Sequence, residues 1–147
     1  MNQNKISELR NMTGAGIMDC KRALDEAGGD LDKAKLIIQE KGMLKAEKKS
    51  ARETGAGVLE SYIHNNRIGV MLELRCETDF AARSDAFKSL AHELAMHISA
   101  MNPETVTDLL KQPYVRDESL TVEQLVKNTI AKVGENIRVE RFCRFEI

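Results

Sequence analysis

"VMLELRCETDFAARSDAFKSLAHELAMHISAM", residues 70–101, changes its hydrophobic period partway along. At first Val70, Leu72, Leu74 and Cys76 alternate with Met71, Glu73, Arg75 and Glu77, the period of a strand with one buried and one polar face. Later Phe87, Leu90, Ala91, Leu94, Ile98 and Met101 recur at helical spacing and form one apolar stripe. The corner between them, "CETDFAARSD" (76–85), sets Asp79 and Phe80 side by side where neither pattern supplies a packing face. Two readings compete. Either the ring folds back over the core while Asp79 or Ser84 caps the helix, the ordinary expectation, or it is an aromatic anchor held outward beside a charge.

Upstream, "VLESYIH" (58–64) is a second alternating run, and "NNRIG" between the two carries the Asn-rich turn of a hairpin. Downstream, Asn102-Pro103 ends the long helix, and "PETVTDLL" predicts a short helix with proline at its first position. Thr121 and Gln124 have capping-box spacing at the start of a helix that runs to Val133 and stops at Gly134. "NIRVERFCRFEI" (136–147) predicts a last strand with Ile137, Val139, Cys143, Phe145 and Ile147 on one face. The core is therefore expected to be α+β, an antiparallel three-stranded sheet packed with helices. No internal repeat of this unit is visible.

The N-terminal part reads as short helices. Ile6 and Leu9 begin one; Ile17, Cys20, Leu24 and Ala27 mark a second, closed by Gly28-Gly29. Asp30 caps a third with Leu31, Ala34, Ile37 and Ile38, expected to end at Lys41-Gly42. "KGMLKAEKKSARETGAG" (41–57) is basic and closes on Gly-Ala-Gly, which reads as a partly helical connector. The division expected is residues 1–42 for a three-helix domain, 43–57 for a basic linker and 58–147 for the core.

The totals exclude several classes. In 147 residues, 22 Lys and Arg balance 23 Asp and Glu, so no global field holds the chain to nucleic acid or an anionic membrane. Aromatics are 4% and Trp is absent, which leaves no evident stacking platform. No run approaches the ~20 apolar residues of a spanning helix, and the first residues lack the apolar centre of a signal peptide. Cys20, Cys76 and Cys143 are odd in number and unpaired in spacing, as in a reducing cytosol; each falls on an apolar phase and is expected to be a buried, inert thiol.

Catalytic signatures are also missing. "HELAMH" (92–97) spaces His92 and His97 five apart, roughly 140° around a helix, so they are expected at the solvent edge and not on one metal ion. "TGAG" (13–16) and "ETGAG" (53–57) match no phosphate-binding loop, and no nucleophile elbow is present. The expected chemistry is contact, without enzyme activity, cofactor or metal.

The motifs carry a resemblance. "LRNMTGAGIMDCKRALDEAGGDLDKAKLIIQEKG" (9–42) resembles the ubiquitin-associated-like three-helix domain that opens members of the elongation factor Ts family. "ETDFAARSDAF", "HELAMHISAMNP", "QPYV" and "IAKVGENIRVERFCRFE" resemble successive parts of that family's core, in order, over nearly the whole chain. The resemblance implies a guanine-nucleotide exchange factor for the GTPase elongation factor Tu. Thr78, Asp79, Phe80 and Ala81 are then the tip that presses on the GTP-binding domain and disturbs its Mg²⁺ site. The family usually has Val in place of Ala81, which implies a slightly smaller wedge. Arg10, Ile17, Met18 and Lys21 match the N-terminal docking surface, with Ile17 in place of a frequent Met. His64 and Val133 match core contact positions, against the alternatives of a turn histidine and a packed helix end.

The resemblance is to the short, single-core form of the family. It implies a cytoplasmic homodimer whose seam uses the last strand, where Phe142 sits among charges, with no direct nucleic-acid or membrane partner. A ubiquitin-like-binding adaptor built on the N-terminal helices is the alternative, and the whole downstream core is the feature against it. Nucleic-acid binding through Lys41 to Arg52 is a third reading, which predicts steep salt dependence.

Overall fold

The alternation of residues 70–76 becomes the middle strand of the sheet. The computed structural model describes residues 3–147, so the first two positions of the expected N-terminal domain lie outside the described residues. Strand β1 (Ala56–His64) pairs antiparallel with β2 (Ile68–Cys76), and β2 pairs antiparallel with β5 (Ile137–Glu146), giving the order β1-β2-β5. Asn65 and Asn66 both have positive φ, 50° and 56°, and Arg67 N–H donates to the His64 carbonyl at 3.0 Å. Two successive left-handed residues make the mirror-image turn whose twist suits a hairpin, and asparagine tolerates that conformation better than most side chains.

Val70, Leu72, Leu74 and Cys76 are buried beneath helix α5 (Asp85–Met101), whose Phe87, Leu90, Ala91, Leu94, Ala95 and Ile98 face them. Each large side chain here withdraws apolar surface worth about 1.5–3 kcal/mol from water. Short helix α4 (Asp79–Ala82) joins β2 to α5. After α5 come α6 (Val106–Lys111), a small hairpin of β3 (Pro113–Tyr114) and β4 (Asp117–Thr121), and α7 (Val122–Val133) leading into β5. The Thr121–Gln124 capping box forms as expected, and Gly134 closes α7 at φ 81°. Helix α6 is capped by Thr105, so Pro103 lies ahead of the helix instead of at its first position. The molecule is α+β, with the helices of the core against one face of the sheet.

Three expectations are corrected. First, β5 does not keep one phase. Leu74 pairs with Val139 while Glu73 pairs with Arg141, so Glu140 is an extra residue and the strand bulges there. The bulge inverts the alternation: Ile137 and Val139 point inward, Phe142 packs against the core, and Cys143, Phe145 and Ile147 are exposed. Cys143 is therefore no buried thiol. Cys20 and Cys76 are buried, and burial raises both thiols above their ordinary pKa.

Second, His97 is fully buried, while His92 stays exposed with its Nδ1 3.7 Å from Glu60. The five-residue spacing sends the two rings to different surroundings. His97 Nδ1 accepts from Val115 N–H at 3.1 Å, which leaves Nε2–H to donate to Gln112 Oε1 at 2.9 Å. Desolvation pulls its pKa below the ordinary histidine value, so the neutral ring ties the β3–β4 segment to α5.

Third, the N-terminal helices α1 (Gln3–Thr13) and α2 (Ile17–Glu26) pack on α3 (Leu31–Lys49) around Leu9, Cys20, Ala23, Leu24 and Ala34. But α3 runs straight through Gly42. Its far half rests on α7, where a Cβ at Gly42 would stand 3.3 Å from the Ala131 Cβ, and Ala46 is buried in the core. Gly42 gives close helix approach here, not a helix stop. Within the basic stretch, Lys41 is paired with Glu26 at 2.5 Å, Lys45 with Asp19 at 3.3 Å and Arg52 with Glu77 at 3.5 Å.

Candidate functional site

A four-residue helix has no stability of its own, because nucleation costs more than one turn returns. Helix α4 exists because both its ends and its inner face are held. Thr78 is its N-cap, with Oγ1 accepting from Ala81 N–H at 3.2 Å. At the other end Ser84 Oγ donates to the Ala81 carbonyl at 2.7 Å and in turn caps α5 by accepting from Phe87 N–H at 3.3 Å. Ala81 and Ala82 are buried against the core. Ala81, expected with Thr78, Asp79 and Phe80 to make contact, is buried in the core: on one helical turn it falls on the face opposite the exposed pair, and only a small side chain is present there.

Phe80 is 88% exposed, more than any other large hydrophobic residue described. Asp79 is exposed beside it, and its carboxylate has no hydrogen-bond or ion-pair partner among the described residues. The structure settles which way the ring points, and of the first reading it keeps only Ser84 as the cap of α5. The ring does not fold back, and the caps are supplied by Thr78 and Ser84, so Asp79 caps neither helix.

The corner is also laced to the loop after α7. Thr78 N–H donates to Glu135 Oε1 at 2.9 Å, and the Thr78 hydroxyl donates to Glu135 Oε2 at 2.7 Å. Reciprocally, Asn136 N–H donates to Glu77 Oε1 at 2.8 Å. The buried Asn136 amide reaches the carbonyls of Ser50 and Arg52 at 3.3 and 2.8 Å. Neighbouring residues on two loops therefore exchange carboxylate-to-amide bonds. Sequence reasoning passed over Glu135 and Asn136; the signal available was an acid and an amide directly after a helix-ending glycine, where side chains bond nearby backbone readily.

The other predicted residues are distributed as follows. Val133 is half-buried and packed on the core, two residues before the Glu135 that bonds Thr78. His64 is exposed at the opposite end of the β1–β2 hairpin from Cys76, roughly 27 Å along strands rising about 3.4 Å per residue. Its ring nitrogens bond the Tyr62 hydroxyl and the Asn65 amide at 3.1 and 3.2 Å. It is not part of the corner. Ile17, Met18 and Lys21 are exposed on the first turns of α2, where spacings of three and four place them on one face, and Arg10 is exposed near the end of α1.

Comparison with known proteins gives the family of the chain. The family model described as Elongation factor TS matches the chain in two overlapping stretches, residues 21–109 and 77–147. The chain is 40% identical over 188 aligned positions to elongation factor Ts of Coprothermobacter proteolyticus, covering 97% of this chain and 95% of that one. It is 42% identical over 186 positions to the Thermotoga petrophila protein of the same name, covering 97% and 94%. To the Gloeothece citriformis protein it is 42% identical, covering 95% of this chain but only 65% of the relative's length. All three alignments are longer than the 147-residue chain, so these relatives carry internal residues with no counterpart here. With this coverage and identity, the chain belongs to the elongation factor Ts family.

Proposed function

We propose that the protein is a guanine-nucleotide exchange factor that binds the GDP form of elongation factor Tu and releases the nucleotide during translation elongation. The observation that carries this reading is Phe80, exposed on a helix clamped at both ends, with the exposed Asp79 at its side, in a chain of this family. A rigid aromatic beside a charge loses little entropy on docking and suits a binding hot spot.

The mechanism is linkage. A tip that fits only the Mg²⁺-loosened conformation of the GTPase weakens GDP by the same factor by which GDP weakens the tip. Diphosphate charge without its cation is poorly held, so GDP leaves; GTP then rebinds and expels the factor. Thr78, Asp79 and Phe80 act as the wedge, while Arg10, Ile17, Met18 and Lys21 dock the N-terminal helices. His64 and Val133 are secondary contacts. No covalent step is involved, and the work is cytoplasmic. Release of labelled GDP from elongation factor Tu, with and without the protein, tests the reading: unchanged release refutes it.

A second copy of the chain is proposed as the other partner. Supporting this, Leu59, Ile63, Met71 and Phe145 are exposed on the sheet face away from the helices. By register Met71 stands beside Cys143, and Phe145 beside Gly69 and Ile63. Such a contiguous apolar face is uncommon on a monomer. The seam lies around Phe145, in place of Phe142, which is occupied by the core. Sedimentation velocity at micromolar concentration should give a dimer; a monomer would remove this part of the proposal.

A further inference from the structure

We infer that Glu135 is a positioning residue for the exchange tip: it touches no nucleotide and acts by fixing Thr78, and through Thr78 the direction in which Phe80 points. The inference deepens the exchange reading and rests on it. The geometry is specific. One carboxylate takes both donors of Thr78, the amide and the hydroxyl, at 2.9 and 2.7 Å. Because the hydroxyl proton is committed to Glu135, the oxygen presents lone pairs to Ala81 N–H, the bond that starts α4. A carboxylate acceptor makes both bonds stronger than a neutral group would. The chain from Glu135 to Thr78 to Ala81 thus sets the first turn that carries Phe80.

The element holding Glu135 is itself anchored. Gly134 ends α7 in the left-handed conformation, and Asn136 is buried with its amide on two carbonyls and its backbone N–H on Glu77. A flexible tip would have to be ordered at each encounter, and its apparent affinity would fall by the fraction of time it is competent. Glu135 makes the competent geometry the resting one. Its loss should therefore raise the concentration needed for exchange, more than it lowers the rate at saturation.

The test compares wild type, Glu135→Ala, Phe80→Ala and the double variant in GDP release from elongation factor Tu, together with backbone amide hydrogen exchange of the free protein. For Glu135→Ala the half-saturating concentration should rise about tenfold with the saturating rate held within about twofold. The Thr78 and Ala81 amides should exchange faster, while those within α5 stay protected. In the Phe80→Ala background the Glu135 substitution should add little, as for residues acting through one another. Should Glu135→Ala fail to fold, Glu135→Gln, which keeps the shape but removes the charge, reads the same quantities. Faster Thr78 exchange with an unchanged half-saturating concentration overturns the inference, as does a full additive loss in the double variant. If wild type itself leaves GDP release unchanged, the exchange reading has failed and the inference falls with it; if wild type and Phe80→Ala behave as stated and Glu135→Ala matches wild type, only the inference has failed.

Discussion

Phe80→Ala should cut the saturating rate of stimulated GDP release about 30- to 1,000-fold, the ~2–4 kcal/mol that a single anchor residue carries at an interface. The ring's apolar surface is almost wholly in water in the free protein and gains burial only on docking. The same exposure predicts that stability is untouched. A surface substitution outside any cap or core contact changes unfolding by no more than about 0.5 kcal/mol, and alanine is the better helix former in α4. Urea unfolding of the variant should therefore overlay that of wild type. A variant that unfolds early would show the ring to be structural, and a variant with wild-type exchange would move the wedge elsewhere.

That contrast between exposure and rigidity was partly legible beforehand. Period-two alternation in residues 70–76 and the stripe from Phe87 located the corner, because burial on one face imposes a strict register on both elements. Sequence could show that Phe80 belonged to neither pattern, but not which way it turned. The direction depends on Glu135, 57 positions from Thr78, and pattern reasoning has no access to a contact of that range. The same limit explains β5. A bulge is one residue's difference in hydrogen-bond count against a partner strand, so nothing in "VERFCRF" alone distinguishes Phe142 inward from Phe145 inward. His97 was misplaced for a related reason, since its burial is created by Gln112 and Val115 arriving from the hairpin segment.

The Gly-Ala-Gly at 55–57 reads as linker, and one of its glycines is expected to be the costliest in the molecule to replace. Gly57 lies within β1 opposite Arg75, at φ 158°. A Cβ there would sit 2.2 Å from the Leu74 carbonyl oxygen and 2.9 Å from the Arg75 Cα. Ordinary carbon-to-oxygen approach is about 3.3 Å or more. Both obstacles are backbone atoms of the central strand, so no rotamer change relieves them; β1 must draw away from β2 at the end that leads into the corner. Gly57→Ala should therefore cost about 3–5 kcal/mol, in the range of the most damaging single substitutions and a large share of a typical domain's 5–15 kcal/mol. Gly55→Ala is the matched control. A Cβ there meets nothing within 4 Å, and its φ lies outside the left-handed range. Restricting the unfolded chain should then stabilise the protein by about 0.4–1 kcal/mol. Equilibrium urea unfolding of the two variants measures the difference directly. Below its unfolding temperature, Gly57→Ala should also exchange GDP more slowly, because Arg75 is only three residues from Thr78 and a displaced strand end moves the base on which Phe80 stands. Equal stability of the two alanine variants would mean that β1 yields at this point, and that the tip is held by Glu135 and the α4 caps without help from the sheet.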